Sequence, residues 1–127
     1  MNRALALDPG YASAYDKRCA VKIGMKRPQD AAADCDKAVT LDPRNHEAWI
    51  NRGVLYHRFL GQRDEAANSY RRALEIDPGN GAANFNYGML LVESGRRDEE
   101  VRRHIVVACD AGIAAACDVL KRSRRAQ

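Results

Sequence analysis

Leu7-Asp8-Pro9, Leu41-Asp42-Pro43 and Ile76-Asp77-Pro78 are three versions of one tripeptide, with prolines 34 and then 35 residues apart. Each follows a short apolar run: Ala4-Leu5-Ala6-Leu7, Ala38-Val39-Thr40-Leu41 and Ala73-Leu74-Glu75-Ile76. Proline lacks the N–H that a helix needs, and it pushes the residue before it out of the α region. Each tripeptide therefore ends a helix, and the fixed spacing says that the same unit ends each time. A weaker copy, Asp110-Ala111-Gly112, follows 33 residues after the third, with alanine in place of proline.

A second punctuation lies midway between these stops. Gly61-Gln62-Arg63-Asp64-Glu65 and Gly95-Arg96-Arg97-Asp98-Glu99 are near copies of each other. Glycine closes one helix and the polar turn opens the next. In the first unit the stretch from Gly24 to Asp30 does this, with Pro28 near the new helix start. Each period thus holds two helices, a helical hairpin. The pattern predicts helices over 12–24, 29–41, 46–60, 64–76, 81–94, 98–109 and 113–124.

The chain resembles the tetratricopeptide repeats, whose 34-residue period carries W-x2-L-G-x2-Y…A-x3-F…P. The middle repeat has Trp49, Gly53, Tyr56, Ala66, Tyr70, Ala73 and Pro78 in register. It departs at Arg52, where leucine is usual, and by one extra residue near Leu60-Gly61. The first repeat has Tyr15, Ala31, Ala38 and Pro43 but departs at Cys19, Lys22 and Cys35. The third keeps Tyr87, Gly88 and Gly95 and departs at Asn84, Glu100 and His104. The resemblance implies an all-α, right-handed α-solenoid of hairpins with a C-terminal capping helix, in one domain spanning 1–127. Residues 1–11 read as the end of a preceding repeat, 12–45, 46–80 and 81–112 as three repeats, and 113–127 as a capping helix with a basic tail. A hairpin cannot bury its apolar face alone, so stacking makes the core continuous.

The resemblance also implies a role: a protein–protein interaction scaffold that binds a partner peptide or helix in a concave groove lined by first helices. Aligned repeats place Lys17, Ile50, Asn51, Val54, His57, Arg58, Phe85, Asn86 and Met89 on that groove. Asn51 and Asn86 share one slot, which peptide-binding members of the family fill with asparagine. An amide offers both donor and acceptor, so it can clamp an extended backbone without reading side chains. The competing reading is that asparagine is simply tolerated on an exposed face. The carboxylate-clamp subtype is not expected, because Asp16 and Ala20 stand where it has lysine and asparagine, and Ala82 and Asn86 where it has lysine and arginine. The alternative role is a structural unit that self-assembles by end-to-end stacking into a homo-oligomer.

The remaining chemistry is sparse. The net charge of +4 comes from 21 Lys and Arg against 17 Asp and Glu, and four of those cations lie in Lys121-Arg122-Ser123-Arg124-Arg125. Residues 1–120 are therefore balanced, and no specific nucleic-acid partner is expected. No run is apolar enough to span a membrane, and a soluble chain is expected, with the cytoplasm leading over the periplasm or secretion. His46, His57 and His104 share no metal-ligand spacing, and no phosphate loop or nucleophile–base pattern occurs. No cofactor, metal or catalytic residue is expected, and the chain is not read as an enzyme. Cys109 and Cys117, eight apart, resemble the Sel-like relatives of these repeats, whose cysteine-rich members join such a pair across the turn. Two separate buried thiols are the competing reading, and the leading one with only four cysteines. Cys19 and Cys35 read as reduced packing residues.

Overall fold

The computed structural model describes residues 9–125. The fragment Ala4–Leu7, expected to close a preceding repeat, lies outside them. Among the described residues seven α-helices follow one another, here α1 (Pro9–Gly24), α2 (Pro28–Leu41), α3 (His46–Val54), α4 (Arg63–Ile76), α5 (Gly81–Glu93), α6 (Glu99–Asp110) and α7 (Ala114–Arg125). A π-helical turn, Leu55–Phe59, continues α3. Among the described residues there is no strand, as the all-α reading expects. The chain forms two compact units, Met1–Ile76 and Asp77–Gln127.

The helix ends follow from local chemistry. Asn45, Asn80 and Asp98 cap α3, α5 and α6 by accepting first-turn backbone N–H groups. Proline opens α1 and α2. α1 starts about one turn before the expected residue 12, because Pro9 opens it as well as following Leu7-Asp8. Its fixed φ and missing N–H equally suit a first helical position.

In the first unit α1 pairs with α2, and α3 with α4. Cys19, Ala31, Cys35 and Leu55 form a buried cluster, with Ile23, Ala32 and Leu60 packed against it. Gly53 permits the α3–α4 approach: a Cβ there would come within 2.5 Å of the Tyr70 ring. Trp49 Nε1 donates to the Pro43 carbonyl at 2.9 Å, tying α3 to the turn before it.

The π turn accounts for the 35-residue spacing. Leu60 N–H reaches back to the Leu55 carbonyl at 3.0 Å, five residues away. The extra residue is absorbed inside the helix rather than in the turn at Leu60-Gly61. A π turn rotates everything after it relative to an α-helical wheel.

In the second unit α5 pairs with α6, and α7 packs on α6. Ile105, Ala108 and Ala116 form its core, joined by Phe85, Met89, Ile113, Val119 and Leu120. Asp118, Lys121 and Arg122 of α7 are exposed, as expected of a helix with one wet face.

Both cysteine pairs are disulfides in the structure. Cys109 and Cys117 bridge α6 and α7 with Cα atoms 4.7 Å apart. Cys19 and Cys35 bridge α1 and α2 with Cα atoms 5.2 Å apart, which corrects their reading as separate thiols. The reason is geometric: small residues mark the closest approach of the two helices, and that approach lies within disulfide range.

Candidate peptide-binding faces

In the first unit the face is built by α1 and α3. Lys17 is exposed on α1; Ile50, Asn51 and Val54 are half-buried on α3; Arg58 is exposed in the π turn. Asn51 is not a free amide. Its Nδ2 donates to Asp16 Oδ1 at 2.9 Å, across from α3 to α1. One N–H and the carbonyl oxygen of Asn51 remain for a ligand. Asp16 also puts a negative charge on this face, in the slot where the carboxylate-clamp relatives have lysine.

His57 does not stand with these residues. Its Nδ1 lies 3.1 Å from the Tyr70 hydroxyl of α4, and the two rings meet edge to face. It sits one turn beyond Gly53, on the side that faces α4.

In the second unit the face belongs to α5. Phe85 and Met89 are half-buried and pack against the Ile105–Ala108–Ala116 core, so part of their surface already serves the fold. Asn86 is half-buried, and no described side chain engages its amide. Among the described residues no group of three or more His, Cys, Asp or Glu is placed to hold a metal ion, and no helix is long and apolar enough to cross a membrane.

Residues 60–99 match the tetratricopeptide-repeat family model. That stretch carries a tetratricopeptide repeat. The chain is 28% identical over 93 residues to the human protein O-mannosyl-transferase TMTC3, covering 73% of this chain and 10% of that protein. It is 35% identical over 77 residues to the wheat Hsp70-Hsp90 organizing protein, covering 61% and 13%. The chain thus spans a small fraction of either relative. Among solved structures, the first TPR of Spaghetti (RPAP3), bound to the HSP90 peptide SRMEEVD, superposes with a TM-score of 0.83 at 17% identity, over 96% of this chain and 97% of that one.

The departures from the tetratricopeptide pattern prove to be contacting partners. Lys22, in a tyrosine slot, reaches the buried Asp34 at 2.8 Å. Arg52, in a leucine slot, is 11% exposed and reaches Asp36 at 2.8 Å, Glu65 at 2.6 Å and the Ser69 hydroxyl at 2.6 Å. Its guanidinium also lies over the Tyr56 ring, 4.7 Å from the centroid. Burial opposes the Arg52 charge, but hydrogen bonds to Asp36 and Glu65 outweigh it and hold the guanidinium above its usual range. Burial, together with the Asp36 charge, pushes the Tyr56 phenol up.

The third departure is Asn84 with His104. Asn84 is 2% exposed and fully engaged: its Nδ2 donates to the Pro78 and Asn80 carbonyls at 2.9 and 2.8 Å, and its Oδ1 lies 2.8 Å from His104 Nδ1. Two donations assign the amide, so Oδ1 must accept, and His104 must carry its proton on Nδ1. His104 Nε2 then faces Glu100, 3.7 Å away. Glu100 is held below the usual carboxylate range, chiefly by its hydrogen bond to Arg96. Burial lowers the His104 pKa, and Glu100 only partly offsets this.

The folded unit favours neutral His104, whose unfolded value is about 6.5. The contribution is fully present above pH ~6.5 and is lost as pH falls from there through the lower folded value. Chemical denaturation between pH 7.5 and 5 should show stability falling below ~6.5, and His104→Gln, which keeps a donor for Asn84, should flatten that limb. An unchanged limb in the variant would refute the assignment.

Proposed function

We propose that each unit holds partner peptide on the first-helix faces of its hairpins, α1 with α3 in the first unit and α5 in the second. Tetratricopeptide repeats are protein-interaction scaffolds, and the role is binding rather than catalysis. The observation that carries the reading is the pair of asparagines at one repeat slot. Asn86 presents a whole amide in the second unit; in the first, Asn51 presents all but one N–H, on the same helix as half-buried Ile50 and Val54. Such a surface grips backbone through amides and side chains through apolar contact. Asp16 disfavours an acidic segment like the one bound to the Spaghetti repeat. The two disulfides favour an oxidising compartment over the cytoplasm.

Capture of partners from a native extract, with wild type beside Asn51→Ala/Asn86→Ala, tests this. The variant should lose about tenfold in affinity for whatever wild type retains, with an unchanged helical CD spectrum. Equal retention by both would sink the reading.

A second reading, association between copies, rests on exposed apolar side chains: Tyr11 and Val21 on α1 and Met25 just after it are 49%, 59% and 57% exposed. Light scattering across a concentration series decides it. A strict monomer excludes that reading.

A further inference from the structure

The second unit holds a cleft that the peptide-binding reading does not use. Half-buried Val92, Val119 and Leu120 form its apolar floor, and exposed Arg97 and Arg102 stand at its rim with Glu99. The floor follows helical rows: Val101 and Ile105 on α6 are four apart, and Val119 and Ser123 on α7 are four apart. A trough between two such rows is the shape into which the ridge of a third helix fits.

The charges at its mouth are unequal in availability. Asp98 is already taken, pairing with Arg96 at 2.7 Å and capping the Val101 N–H at 3.2 Å. Arg96 also holds Glu100 at 2.7 Å. Among the described residues no carboxylate pairs with Arg97 or Arg102. Arg97 makes only two bonds, to the Val92 and Arg96 carbonyls. Lys121 and Arg122 of α7 are exposed nearby in sequence. Glu99 is the one lining carboxylate left over, against two unpaired guanidiniums that are built to take carboxylates bidentately.

We propose that this cleft docks an amphipathic helix of a partner protein, with its apolar stripe on Val92, Val119 and Leu120 and its carboxylates on Arg97 and Arg102. None of the cleft's lining residues is among those assigned to the peptide-binding faces, so the two sites are tested separately.

The probes are two synthetic peptides of about 18 residues, long enough to form a helix. Both carry leucine at the a, d and e positions of each heptad; one has glutamate at the flanking positions, the other lysine. Calorimetric titration into the intact chain should show the glutamate peptide binding at least about tenfold tighter. Arg97→Glu/Arg102→Glu should reverse that order, and Leu120→Asp should abolish binding of both, each with a wild-type CD spectrum. The charge reversal separates a specific site from general adhesion, because the floor is untouched. Asn51→Ala/Asn86→Ala should leave both titrations unchanged. No binding, equal binding of the two peptides, or an order that survives charge reversal overturns the proposal. So does a dimer in light scattering that Arg97→Glu/Arg102→Glu dissolves, since a second copy would then be the occupant.

Discussion

Replacing Arg52 with alanine should lower the unfolding free energy by about 3 kcal/mol. The side chain is 11% exposed and makes three polar contacts at 2.6 to 2.8 Å, to Asp36 on α2 and to Glu65 and Ser69 on α4. Asp36 and Glu65 are about half exposed, at 48% and 47%, so water takes over much of their solvation when the guanidinium goes. Ser69 is fully buried and has no such recourse. Hydrogen bonds to charged groups are worth roughly 1.5–3 kcal/mol, and a stranded buried hydroxyl adds about 1–3. Water returning to the carboxylates offsets part of that sum. Arg52→Leu restores the residue usual in this slot and fills the space, so its cost should be smaller, about 1–2 kcal/mol, chiefly through Ser69. Adding Ser69→Ala should recover part of the Arg52→Leu loss. Urea denaturation followed by CD reads all three variants, and an Arg52→Ala cost under about 1 kcal/mol would mean that the contacts carry no more than a surface ion pair.

Replacing Cys19 and Cys35 together with alanine should cost a similar amount. Their bridge spans 16 residues, and closing a loop near that length is worth about 3 kcal/mol through the unfolded chain. The melting temperature should fall by roughly 10 °C. The Cys109–Cys117 bridge spans eight residues, and its removal should cost about 2 kcal/mol. Scanning calorimetry of wild type with and without a strong dithiol separates the crosslink from the packing of the sulfur atoms. Reductant should lower the wild-type melting temperature and leave the four-alanine variant unmoved. A wild type indifferent to reductant would show that the bridges add no stability.

Arg52 and the cysteines show why part of this molecule was legible and part was not. The sequence marked Cys19, Lys22, Cys35, Arg52, Asn84 and His104 as misfits to the repeat pattern. It did not show that Cys19 meets Cys35, that Lys22 meets Asp34, or that Asn84 meets His104. A pattern scores each slot alone, whereas a polar residue in an apolar slot is tolerable only when its partner across the hairpin is polar too. Two misfits in slots that face each other are the available signal. Among the face residues, Ile50, Asn51 and Val54 precede the π turn, whereas His57 lies within it and meets Tyr70.

The sequence by itself determined the hairpins, their period and most helix ends. Proline, glycine and capping side chains act through the backbone of a few neighbouring residues, and a repeated stop needs no tertiary knowledge to be read. Only the tertiary structure decided where the extra residue went, which misfits satisfy one another, that Asp16 occupies part of Asn51, and that Arg97 and Arg102 stand unpaired beside an apolar cleft. All but the first depend on distances between residues well separated in the chain, and side-chain hydrogen bonds and ion pairs are decided over a few ångströms that spacing along a sequence does not encode.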